Sequence, residues 1–260
     1  MRFTHLGASV LGLALIVVAC RGDQPDNPSP KTDKRPPRLE LHVLFLGNSL
    51  TAVNDVPAIV QAMAATGGVQ LIYHAITPGG VNLEDHWRKG EGRAVLARGR
   101  WNYVVMQQGP SSRPESQVDL SEWAGRWADE ARAHGATPAL YMVWPVQGQT
   151  DGFKLVSQSY RRAAEASKSQ LFPVGEAWDA ASHSNRAIRL YQADKLHPTK
   201  AGSYLAALVI TRGLTGIRPT AIPAKLKLAD GRIVELPEAQ AKDLRRSAEK
   251  AGGERKAALP

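Results

Sequence analysis

The stretch "VLFLGNSLTAVND", Val43 to Asp55, decides the fold. Four apolar residues in a row read as a strand buried on both faces. Gly47-Asn48 then reads as a tight turn, and Asp55 as the cap of a following helix. Strand, turn and helix in that order form the unit of a parallel sheet covered by helices. The arrangement leaves the Ser49 hydroxyl at the tip of the turn, where a serine is either a helix cap or a nucleophile.

Working outward, apolar runs of strand length alternate with amphipathic stretches from Leu39 onward. The strands are expected at 39–46, 69–76, 101–107, 136–144 and 170–174, and the helices near 56–66, 82–97, 117–134 and 153–168. A last core helix is expected to open at "HPTKAGSYLAALVITRG", with Pro198 at its first position and Tyr204, Leu205, Leu208 and Val209 on its apolar face. The expected architecture is a three-layer α/β/α sandwich around a five-stranded parallel sheet. In such sheets ligands bind at the carboxyl ends of the strands. The residues there are Gly47-Asn48-Ser49-Leu50, Pro78-Gly79-Gly80, Gln107-Gln108-Gly109 and, before the last helix, Asp194-Lys195-Leu196-His197.

A serine hydroxyl needs a base to take its proton, and an imidazole base works best when a carboxylate fixes its tautomer. Ser49, His197 and Asp194 supply those three parts, and the Asp-x-x-His spacing lets one short turn present both side chains. Gly47-Asn48-Ser49-Leu50 resembles the GDSL block of the SGNH/GDSL hydrolases, with asparagine in place of the usual aspartate. Asp194 to His197 resembles that family's final block, and the likeness runs in order over roughly residues 40–213. It implies the flavodoxin-like SGNH hydrolase fold and a serine esterase that works through an acyl-enzyme.

The resemblance also implies an oxyanion hole built from the Ser49 N–H, a glycine N–H and a side-chain amide. The glycine corresponds to Gly80, with Gly79 as the alternative. The third block departs from the family pattern, because "VVMQQGPSS" replaces Gly-x-Asn-Asp. Gln108, or else Gln107, is expected to donate there, and the Gln-Gly pair resembles the sialate and acetylxylan esterase branches. Small acyl groups on carbohydrate are the expected substrates. The alternatives are a lipase or lysophospholipase, and a non-catalytic binding lipoprotein that keeps the fold. His42, His74, His86, His134 and His183 have no partner motif and are assigned to ordinary surface or core. Trp87, Trp144 and Trp178 fall near strand ends or the helices after them and are assigned to core packing, with the wall of an acyl or sugar pocket as the alternative. The sequence holds no metal-binding spacing and no phosphate-cradling loop, so the expected chemistry needs neither metal nor cofactor.

The 260 residues carry 43% hydrophobic and 22% charged side chains, which suits one soluble domain with a substantial core. The formal net charge of +9 is scattered and has no aromatic-interleaved patch, so no nucleic-acid partner is expected. Residues 1–19, with Arg2 ahead of an apolar run, read as a signal peptide. Val17-Val18-Ala19-Cys20 resembles the bacterial lipobox, which implies a lipidated Cys20 and a membrane-anchored, extracytoplasmic protein. Arg21 after that cysteine points to the outer membrane where the host has two. Residues 21–38 are polar and proline-rich, so with Cys20 they form a disordered tether. The hydrolase domain is assigned to 39–218. Residues 219–260 form an extension with a hairpin turning at Asp230-Gly231, followed by a helix. The extension has no function assigned from sequence, and neither does the oligomeric state.

Overall fold

In the computed structural model, which describes residues 39–251, the decisive stretch forms β1 (Glu40–Leu46) and then a single helical turn, α1 (Ser49–Ala52). Val43 to Leu46 are each no more than 1% exposed. Burial on both faces is why the sequence there is apolar throughout and does not alternate. The expected signal peptide, Cys20 and tether lie outside the described residues.

The chain continues through α2 (Val56–Thr66), β2 (Gln70–Ile76), α3 (Leu83–Lys89), α4 (Glu91–Arg98), β3 (Tyr103–Met106) and α5 (Pro114–Ala133). It then forms β4 (Thr137–Tyr141), α6 (Gly152–Ala166), β5 (Gln170–Phe172), α7 (Val174–Ser184) and α8 (Lys200–Thr215). Five parallel strands form a sheet in the order β2-β1-β3-β4-β5. The crossover helices fall into two packed groups, α2 with α8, and α5 with α3 and α6, as layers on the two faces of a parallel sheet require. The direction of winding reverses between β1 and β3, which opens a crevice at their carboxyl ends.

The observed elements depart from expectation in three places. The helix expected over 82–97 is broken at Gly90, whose left-handed backbone ends α3 and opens α4. The helices α1 and α7 have no counterpart in the sequence reading: α1 is a single turn of four residues, and α7 begins two residues after β5 ends. Pro198 lies outside α8, since Thr199 caps that helix by accepting the Gly202 N–H.

The C-terminal segment forms the expected hairpin, β6 (Lys225–Lys227) and β7 (Ile233–Glu235), followed by α9 (Glu238–Ala251). Leu226, Leu228, Val234 and Leu236 are buried. β6 packs on α2, and α9 packs on α7 and α8, so the described part of the extension belongs to the same compact unit as the sheet.

Candidate active site

Ser49 is the first residue of α1, directly after the carboxyl end of β1. Its hydroxyl donates to His197 Nε2 at 2.8 Å, and His197 Nδ1–H donates to Asp194 Oδ2 at 2.6 Å. Asp194 Oδ1 accepts the backbone N–H groups of Leu196 (3.0 Å) and His197 (2.9 Å). The Leu196 N–H, then the His197 ring and the His197 N–H, hold the Asp194 carboxyl well below its usual range, at about 2. Asp194 is therefore ionised and accepts the Nδ1 proton, which leaves Nε2 as an acceptor facing the serine. Residues separated by 148 positions in the chain thus form one continuous proton path.

The floor under Ser49 is a knot of buried amides. Asn48 caps α1 by accepting the Leu50 N–H on Oδ1 (3.1 Å), and its Nδ2 donates to Val81 O (3.0 Å). A carboxylate at position 48 could not make the second bond, which accounts for asparagine where the family pattern has aspartate. The bond to Val81 draws the turn containing Gly80 against the start of α1.

Gln107 closes the knot. Its Oε1 accepts the Asn48 N–H (2.9 Å) and the Thr51 hydroxyl (2.8 Å), and its Nε2 donates to Asn48 Oδ1 (3.0 Å) and Gln108 O (2.6 Å). Gly47 makes room for this packing, since a Cβ there would stand 2.6 Å from Thr51 Oγ1 and 2.7 Å from Gln107 Oε1. His86 Nε2–H donates to Gly47 O at 2.8 Å, and burial lowers the pKa of His86 so that the neutral ring is favoured. His86 thus braces the turn that carries Ser49. It was assigned to ordinary core from sequence because no short motif links position 86 to position 47.

The expected glutamine donor takes a different form. Gln108 Oε1 accepts the Leu83 N–H (3.2 Å), which directs Nε2 to Asp119 Oδ2 (2.8 Å) and Ser111 Oγ (3.4 Å). Both glutamine amides are therefore already committed to acceptors within the protein. Both side chains are buried, and a buried N–H must be paired, so each side chain builds the wall of the site. The donors left over the serine are backbone groups. Ser49 N–H has no acceptor among the described residues, as befits the first turn of a helix. Gly80 has φ +72° and nothing within 4 Å of where a Cβ would lie, a left-handed, open turn that suits glycine. Gly79 also faces open space but has no such φ.

The Asp194–His197 loop is held from below. Trp144 Nε1–H donates to Leu196 O at 2.9 Å. Trp144 stacks on Trp178 at 3.6 Å between ring centroids, and Tyr191 meets Trp178 edge-on. Backbone bonds from Gln192 N to His197 O (2.8 Å) and from Gln147 N to Lys195 O (2.9 Å) complete the clamp. Glu176, on α7, pairs with Arg161 and Ser157 and takes no part in this clamp. Among the described residues no cluster of three or more His, Cys, Asp or Glu could hold a metal. A groove of about 530 Å³ between α3 and α5, walled by Trp87 and Trp123, includes none of Ser49, Asp194 and His197.

The sequence matches no protein-family model and no curated protein. Solved structures do match. A candidate SGNH hydrolase from Slackia heliotrinireducens is 29% identical with a TM-score of 0.57, covering 66% of this chain and 98% of its own. A DUF4886 family protein from Bacteroides uniformis is 18% identical with a TM-score of 0.66, covering 82% of this chain and 94% of its own. An acetyl xylan esterase is 14% identical with a TM-score of 0.55, covering 65% of this chain and 98% of its own. The last two likenesses establish the fold alone. The chain belongs to the SGNH hydrolase superfamily, whose members cleave ester bonds.

Proposed function

We propose that this protein is a serine esterase acting through an acyl-enzyme on small acyl groups, such as acetyl, carried by carbohydrate. The observation that carries the reading is the unbroken hydrogen-bond chain from Ser49 Oγ through His197 to Asp194. Ser49 Oγ attacks the ester carbonyl while His197 Nε2 takes its proton, and ionised Asp194 stabilises the resulting imidazolium. The Ser49 and Gly80 N–H groups hold the oxyanion, and each donor of this kind is worth about 10²-fold or more in rate. His197 then returns the proton to the leaving alkoxide oxygen as the C–O bond breaks, leaving the acyl group on Ser49. Water activated by the same imidazole releases the acid.

The openness of the site supports small acyl groups on bulky alcohols. Open space lies beside the Gly79-Gly80 turn, which leaves room for a bulky alcohol such as a sugar to remain in solvent. The engagement of both glutamines favours one second reading, a protein that keeps the fold and binds such ligands without turnover. Hydrolysis of p-nitrophenyl acetate, butyrate and octanoate by protein beginning at Gln24 separates the two. Turnover that falls with chain length and disappears in Ser49→Ala supports the esterase. Folded protein with no turnover above Ser49→Ala, and no labelling by a fluorophosphonate, supports the binder.

The lipobox-like sequence supports anchoring through Cys20 in an extracytoplasmic membrane. Metabolic labelling with palmitate that is lost in Cys20→Ala tests this placement.

A further inference from the structure

We infer that Asn54 is the positioning residue that sets His197 against Ser49, and that Arg232 of the C-terminal hairpin holds the turn carrying it. The inference rests on the esterase reading above. Ser49 and His197 belong to separate segments, and the clamp beneath the histidine loop runs to Trp144 and Gln147 but not to α1. The link on the serine side is Asn54. Its Nδ2 donates to Pro198 O at 3.1 Å, directly beside His197, and to Ser203 Oγ at 2.9 Å. Ser203 Oγ–H in turn donates to Val53 O at 3.3 Å. Gln192 Nε2 reaches the same Pro198 carbonyl at 2.9 Å, so the segment after His197 is gripped from its own loop and from the end of α1.

The turn that aims Asn54 is held in an unusual conformation. Asn54 and Asp55 are consecutive non-glycine residues at φ +59°, a left-handed region that such residues occupy only when their surroundings hold them there. Asp55 is held on both carboxylate oxygens. Oδ1 accepts the Ala58 N–H at 3.2 Å, and Oδ2 accepts Arg232 Nη2–H at 2.6 Å. Arg232 is itself oriented by Asp230, which takes both its Nε–H and its backbone N–H. The hairpin is fixed through its buried leucines and Val234. The extension thereby gains a role in the site, as the outer support of the turn that spaces base and nucleophile.

The test uses Asn54→Gly and Asn54→Asp, which both tolerate the left-handed backbone and both remove the N–H donor. In each, kcat for p-nitrophenyl acetate is expected to fall about 10- to 100-fold with KM within about twofold, the signature of misplaced reacting groups. The second readout does not depend on turnover. The ¹⁵N resonance of His197 Nε2 should move in both variants toward its position in Ser49→Ala, where the serine hydrogen bond is absent. Arg232→Ala should move it the same way by a smaller step. In folded Asn54 variants, a kcat within twofold of wild type or an unmoved Nε2 resonance overturns the role of Asn54. An unmoved resonance in Arg232→Ala overturns the role of the hairpin. If the wild type hydrolyses no ester, the resonance alone decides this inference, and only the esterase reading fails.

Discussion

The two halves of the site are built by different means. The serine side is a buried knot at the carboxyl ends of β1 and β3, in which Asn48 and Gln107 bond each other and His86 and Gln108 bond the backbone around them. The histidine side is an exposed loop, held by backbone bonds within itself and from Gln147, by the Trp144 N–H from below, and by the Asn54 and Gln192 amides on Pro198 O. Buried polar groups are expensive to leave unpaired, whereas exposed ones can turn to water. Damage on the serine side should therefore appear as lost stability, and damage on the histidine side as lost rate.

Asp194→Asn should show the largest effect. The substituted amide would present an N–H to His197 Nδ1 and impose the wrong tautomer, so kcat should fall about 10⁴-fold while the melting temperature changes little. A large fall in melting temperature instead would break the contrast.

Gln107→Leu strips the Asn48 N–H and the Thr51 hydroxyl of their acceptor in a buried place. Chemical denaturation should read a loss of about 2–4 kcal/mol. A smaller change of the same kind is expected in Asn48→Asp, where a carboxylate oxygen would face Val81 O. A loss of about 1–3 kcal/mol, with weaker turnover as the Gly80 turn drifts from Ser49, would sharpen the comparison.

On the histidine side, Trp144→Phe keeps most of the stack and removes only the N–H to Leu196 O. That variant should lose turnover severalfold as the Asp194–His197 loop loosens, while its stability falls by no more than about 1 kcal/mol.

The pH dependence separates the two sides again. His86 has its pKa lowered by burial, so the folded state favours the neutral ring. Its contribution is fully present above the ordinary imidazole range and is lost as the pH falls below it. Asp194 has a depressed pKa, so its contribution persists to lower pH and is lost only as the pH falls through about 2. Thermal melting in acid should thus weaken first through the serine side, and His86→Asn should flatten that early loss.

Much of the fold was legible because the local signals agreed. All five strands lie within their expected ranges, and Asp55 caps α2 as anticipated. Unbroken apolar runs such as Val43 to Leu46 admit few other readings. The Asp-x-x-His turn was equally legible, since three residues of spacing already confine the two side chains to one place. The third block was not. A glutamine at a strand end is the same residue whether its amide faces a substrate or a neighbouring backbone, and only the positions of the Asn48 and Leu83 N–H groups direct it inward.

The sequence by itself pointed to the strands of the parallel sheet, the serine turn, the Asp-x-x-His turn and the hairpin, because each of these pieces is encoded within a few consecutive residues. Only the tertiary structure decided what braces them. His86 under Gly47, Gln107 under Asn48, and Asn54 against Pro198 are pairings between residues 39 to 144 positions apart. Chain folding creates such contacts between side chains whose chemistry is unremarkable until they meet.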